Sequence, residues 1–139
     1  ILSDAPPEET APLRGGLRAA GVHSVLLVAP TSPARRISLI AAEASGYIYY
    51  VSLRGVTGPR ERLPDDLVAG LGRVRAVASQ PIAVGFGIST PAQAAEAAAH
   101  ADAVIVGSAL VATLERSLGT PDTVAQIGRF VRDLRSAIG

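Results

Sequence analysis

The chain has no cysteine, no methionine and no lysine, only two histidines, and aromatic residues at 4%. Each shortage removes a class of chemistry. Without cysteine there is no disulfide framework and no thiolate nucleophile or metal ligand. Without lysine there is no amine to form a Schiff base with a carbonyl substrate, so every basic side chain is arginine. His23 and His100 are too few for a histidine-rich metal centre, and no metal is expected. Methionine being absent, no ordinary initiator opens the chain. An excess of one charge is also lacking: 13 basic against 12 acidic residues leave a net charge of +1. Nothing in that balance argues for a nucleic-acid or membrane surface. No apolar run is long enough to span a bilayer and no signal peptide is visible, so the expected location is the cytoplasm, by default only.

What is present is enough for one domain of 139 residues with a real core. Its organising stretch is 81–108. Ile82, Ala83 and Val84 form a short apolar run between Pro81 and Gly85, which suits a buried strand. Gly85 and Gly87 flank Phe86 and open the backbone. Ser89 or Thr90 then caps a helix over 92–99, with Pro91 in its first turn. A second buried strand over 103–106 ends in Gly107-Ser108, which leads into another helix over 109–118. The pattern is strand, glycine turn, helix, twice. Each turn presents N–H groups at a helix N-terminus, where the dipole favours an anion. Two adjacent turns of this kind form the phosphate site of many (β/α)8 barrels, after strands 7 and 8. The plainer reading of the same glycines is that α/β turns need them for tight packing.

Upstream, residues 1–4 read as the tail of a strand, which puts Asp4 at a strand's C-terminal end. Pro6-Pro7-Glu8-Glu9 reads as a helix start, and the helix runs to about Ala20, weakened by Gly15-Gly16 and ended by Gly21. A Val- and Leu-rich strand covers 24–29. Ser32 is expected to cap a helix over 34–44 whose inner face is Ile37, Ile40 and Ala41. The strand over 47–51 alternates, so Tyr47 and Tyr49 share one face, Ile48 and Tyr50 the other. A long polar loop follows, with Gly55-Val56-Thr57-Gly58 and Arg54, Arg60 and Arg62, the length of a lid or binding loop. A helix over 64–79 turns Leu67, Leu71, Val74 and Ala78 inward. A last helix over 122–137 presents Val124, Ile127, Val131 and Leu134. Apolar strands alternating with amphipathic helices mean a parallel sheet covered by helices. Asp102, His23 and His100 precede strands and lie on the face that serves stability; Asp4 follows one and is the better functional candidate.

Taken together, these residues resemble the tryptophan synthase α subunit family. The resemblance is carried by Asp4-Ala5-Pro6-Pro7-Glu8-Glu9, Leu27-Val28-Ala29-Pro30-Thr31-Ser32, the run 47–58, the run 84–89 with Pro91, and the run 102–110. It implies an α/β fold, the (β/α)8 TIM barrel of ~250 residues. Residues 1–139 would be the C-terminal half of that single barrel domain, from the end of strand 4 through strand 8 and the closing helix. The implied activity is retro-aldol cleavage of indole-3-glycerol phosphate to indole and glyceraldehyde 3-phosphate, with no metal and no cofactor of the chain's own. The implied partner is the PLP-dependent β subunit, in an αββα heterotetramer. By the same resemblance Tyr49 is an auxiliary active-site residue. Gly58, Phe86, Gly87, Gly107 and Ser108 bind the phosphate, and Thr57 is the lid threonine. Asp4 and Pro6 belong to the region that meets the β subunit. The family's catalytic Glu and Asp fall before Ile1, so the chain alone is expected to be inactive and, with two open sheet edges, to self-associate. Ser3, Leu53 and Arg54 depart from the family pattern. The alternatives are another barrel enzyme acting on sugar phosphates and a non-catalytic phosphate-binding half-barrel.

Overall fold

The computed structural model describes residues 1–3, 5–51, 66–85 and 87–139. Along the chain come α1 (Ala11–Ala19), β1 (Leu26–Val28), α2 (Ala34–Glu43), β2 (Ile48–Val51), α3 (Leu67–Arg75), β3 (Ile82–Gly85), α4 (Pro91–Ala98), β4 (Ala103–Ile105), α5 (Ser108–Ser117) and α6 (Thr123–Ile138). The four strands form one parallel sheet in the order β1-β2-β3-β4. That order never reverses, so right-handed crossovers place every connecting helix on the same side of the sheet.

The register sorts the strand residues into two faces. Val28, Tyr50, Val84 and Val104 lie in one cross-strand row, with Leu26, Ile48 and Ile82 in the row below. These pack against Ile37 and Ile40 of α2, Leu67, Leu71 and Val74 of α3, and Ala94 and Ala97 of α4 to make the core. On the opposite face the rows are Leu27–Tyr49–Ala83–Ala103 and Val51–Gly85–Ile105. That face is also apolar, as parallel strands usually are, but no helix covers it among the described residues. Leu27, Val51 and Ile105 are accordingly only half-buried. Leu2 donates its N–H to Val25 O, so the N-terminal residues run beside β1, where a preceding strand belongs.

Local structure departs from the sequence reading in several places. The first helix begins at Ala11 rather than at the prolines: residues 7–9 form a turn, and the Thr10 hydroxyl bonds back to Pro6 O instead of capping. Ser32 does not cap α2 either. Its Oγ accepts the Ala29 N–H and closes the turn after β1, leaving Pro33 at the cap position. Gly21 has φ 70°, the left-handed conformation expected after a helix C-terminus. The third helix stops at Arg75, and Ala78 packs against the core from the turn beyond it. In α6, Val124 and Val131 are exposed, and Ile127, Phe130 and Leu134 are the half-buried stripe. Asp122 makes no side-chain cap there.

Two charged groups have structural duties within the described fold. Arg14 is buried, and its guanidinium donates to Thr10 Oγ1 at 2.6 Å, to Pro7 O and to Glu43 Oε2 at 2.7 Å. It therefore ties the 7–10 turn and α1 to α2. Asp102 Oδ2 accepts from Arg75 Nη1 at 2.7 Å and from the Ile82 N–H at 2.8 Å, joining the start of β3 to α3. The Arg75 hydrogen bond first, and the Ile82 N–H second, hold its carboxyl below the usual 3.8. A lowered folded-state pKa means stability that is present above the unfolded pKa and lost as pH falls through the folded one. Because both partners are solvated, Asp102→Asn should cost only about 0.5–1 kcal/mol at pH 7. In urea titrations that difference from wild type should vanish well below pH 3.8. A penalty that persists there would contradict an ionic role for Asp102.

Candidate phosphate site at the strand C-terminal ends

Gly85 of β3 is paired with Ile105 of β4, so Gly87 and Gly107 each stand two residues past the same rung. Adjacent strands are about 4.8 Å apart, so the two turns emerge side by side at the C-terminal edge. Among the sequence-predicted residues, Gly87, Gly107 and Ser108 meet here, all exposed. Asp4, Thr57, Gly58 and Phe86 lie outside the described residues, as does the whole 52–65 loop. Pro6 sits in the turn before α1, where its carbonyl accepts from the Glu9 N–H and the Thr10 hydroxyl.

The glycines of the two turns have different reasons to be glycine. Gly87 has φ 80°, a left-handed backbone that other residues adopt only with strain. Gly85 is set by packing: a Cβ there would lie 2.5 Å from Tyr49 Oη and 2.7 Å from Tyr49 Cε2. Tyr49 is opposite Ala83, two residues before Gly85, so its ring lies diagonally across the face and onto the glycine. Gly107 has neither reason. Its φ is −114°, open to any residue, and a Cβ there would meet nothing within 4 Å among the described residues. Tight packing, the plainer reading, therefore explains Gly85, and among the described residues nothing packs against Gly107.

The two helix N-termini also differ. In α4, Thr90 Oγ1 accepts the Gln93 N–H at 3.2 Å, while Gln93 Oε1 accepts from Ser89 N, Ser89 Oγ and Thr90 N at 2.9, 3.1 and 3.2 Å. This capping box resolves the Ser89-or-Thr90 alternative in favour of Thr90 and satisfies α4 from within. Gln93 itself is buried and escaped the sequence reading, although Thr90-Pro91-Ala92-Gln93 is the capping-box spacing. In α5 no side chain caps. Its first bonded amides are Leu110 and Val111, both to Gly107 O, so the Ser108 and Ala109 N–H groups have no protein acceptor among the described residues.

Tyr49 is 9% exposed and belongs to the sheet face that no described helix covers. Burial, and secondarily Tyr47, raises its pKa above 10.0. The phenol thus stays protonated at neutral pH and can donate a hydrogen bond. An apolar cavity of about 260 Å³ lies elsewhere, beneath α6, lined by Ala94, Val104, Leu110, Phe130 and Leu134 among others. It is on the helix side of β4, and two of its lining residues, Val106 and Leu110, flank the Gly107-Ser108 turn.

Four parallel strands in sequential order, helices on one face and glycine turns at the C-terminal edge define half of a (β/α)8 barrel. Residues 1–138 match the family model described as tryptophan synthase alpha chain. The tryptophan synthase alpha chain of Geobacter sp. is 45% identical over 99% of this chain and 51% of its own length. That of Gluconacetobacter diazotrophicus is 46% identical over 98% of this chain and 54% of its own. The crystal structure of the alpha subunit from Legionella pneumophila superposes on 97% of this chain, and 49% of that one, with a TM-score of 0.82 at 34% identity. The chain belongs to the tryptophan synthase alpha chain family, and it spans about half the length of the relatives it matches.

Proposed function

We propose that this chain is the phosphate-binding half of a carbon–carbon lyase that cleaves indole-3-glycerol phosphate to indole and glyceraldehyde 3-phosphate. The observation that supports it best is Gly107. With no positive φ and no neighbour for a Cβ among the described residues, its lack of a side chain serves close approach of a ligand to the backbone. The ligand class is set by the amides beyond it: two N–H groups and the Ser108 hydroxyl at the uncapped start of α5 suit an anionic phosphate. Gly87 lies beside them, and by family resemblance Gly58, Phe86 and Thr57 complete the cradle. Tyr49 is the auxiliary group, donating from its protonated phenol. The family's carboxylates, upstream of Ile1 by the same resemblance, would perform the proton transfers on the indole nitrogen and the glycerol hydroxyl. Asp4 and Pro6 would face the β subunit, to which indole passes.

Titration with inorganic phosphate or glyceraldehyde 3-phosphate tests the reading. Ser108→Ala should weaken binding by about 1.5–3 kcal/mol, the cost of one hydrogen bond to a charged group. Gly107→Val should weaken it more, because its side chain fills the approach. It should leave the thermal midpoint nearly unchanged, since a Cβ there meets no described residue within 4 Å. Unaltered affinity in Gly107→Val would sink the phosphate assignment.

A further inference from the structure

Gln93 is a buried carboxamide at the one point where an anion would otherwise be drawn to α4. It is 2% exposed, and its Oε1 gathers two backbone N–H groups and a hydroxyl from Ser89 and Thr90. That is the donor set that helix N-termini offer to a phosphate oxygen. Only one amide of the α4 first turn, that of Ala92, has no acceptor among the described residues, since Pro91 carries no N–H and Gln93 N is bonded to Thr90 Oγ1. The neighbouring helix is the reverse case, with no side-chain cap and two amides without an acceptor among the described residues.

We propose that Gln93 is the positioning residue of the phosphate loop. Its amide oxygen acts as a resident acceptor that holds residues 87–90 in their bound shape and closes α4, so that the anion is carried by the α5 amides and the Gly87 turn. This deepens the phosphate reading above and rests on it. A neutral acceptor suits the task. It satisfies the α4 donors without placing a second negative charge beside the phosphate, and a preformed loop has less conformational freedom to lose on binding. The result is a site with one open helix terminus rather than two.

The experiment uses the isotope-labelled chain, inorganic phosphate as the probe, and hydrogen exchange. In wild type, phosphate should shift the amide resonances of Gly87, Ser108 and Ala109 and leave those of Ser89 and Thr90 in place. The Ser89 and Thr90 amides should be protected from exchange. Gln93→Met, close in size but with no amide oxygen, should lose that protection and bind phosphate about tenfold more weakly, the scale of one misplaced hydrogen-bonding element. Gln93→Glu, which can accept the same bonds, should keep the protection. Phosphate shifts centred on Ser89 and Thr90 would overturn the proposal while leaving the phosphate reading intact. Absence of any phosphate shift would overturn that reading and the α5 assignment with it, and the exchange data would still decide whether Gln93 holds the turn. Unchanged exchange in Gln93→Met would show that it does not.

Discussion

Gly70→Ala should unfold the chain more easily by up to about 2 kcal/mol, although alanine is the better helix former. Gly70 lies within α3 and faces the sheet. A Cβ there would fall 1.9 Å from Tyr50 Oη and 2.7 Å from Tyr50 Cζ. Tyr50 is 1% exposed and enclosed by the core, so its ring has no free space to take up. The helix must move off the sheet instead, and Leu67, Leu71 and Val74 lose contacts together. Two effects oppose each other. Alanine gains about 0.8–1 kcal/mol over glycine in a helix interior, while an overpacked core site typically costs 1–3 kcal/mol and occasionally more. Since the clash is with a ring that cannot rotate away, overpacking wins. Urea unfolding followed by circular dichroism gives the midpoint. A midpoint equal to or above that of wild type would show that Tyr50 can yield. Gly72, whose Cβ would meet nothing within 4 Å, is the internal control, and Gly72→Ala should stabilise.

Gly85→Ala should displace Tyr49 and leave the rest of the sheet in place. The new methyl would overlap the phenol, with Oη at 2.5 Å and Cζ at 3.0 Å. Here the ring is on the face that no described helix covers, and the stability loss should stay near 1 kcal/mol. The larger effect is on position. An aromatic side chain swung off Gly85 no longer aims its hydroxyl at the C-terminal edge, and displacement of a catalytic group by an ångström can cost about 100-fold in rate. The tyrosine titration reports the move directly. Burial holds the Tyr49 pKa above 10.0, so exposure should lower it toward that value. In a double-mutant cycle with Tyr49→Ala, the penalty of Gly85→Ala should disappear, a coupling of about 0.5–3 kcal/mol. Additive effects would mean that Gly85 and Tyr49 do not act on each other.

These glycines show how far residue patterns reach. Glycine at 85, 87 and 107 marks turns and close approaches wherever it stands, so the strand-turn-helix repeat was legible from spacing alone. The reason for each glycine was not. Gly85 accommodates a tyrosine ring from the neighbouring strand, Gly87 a left-handed backbone, and Gly107 neither among the described residues. A side chain 36 residues upstream, Tyr49, decides the first, and only strand register brings it there. Capping was similarly divided. Thr90 with Gln93 is a local spacing, and it forms; Ser32 has the right chemistry and spends it on the Ala29 N–H.

The apolar periods by themselves determined the parallel α/β architecture, the helix faces of α2 and α3, and the two glycine turns, because period and turn chemistry are properties of neighbours in the chain. The same residues carried the family likeness. Tertiary structure alone decided the burial of Arg14, whose charge reads as surface until Glu43, Thr10 and Pro7 converge on it. It alone decided which half of the α6 apolar stripe is covered: Val124 and Val131 fit the helical period as well as Leu134 does, but only part of the helix circumference meets α4 and α5. And it alone separated the two helix termini at the candidate site, for a helix start attracts an anion only when no side chain of its own has already taken the donors.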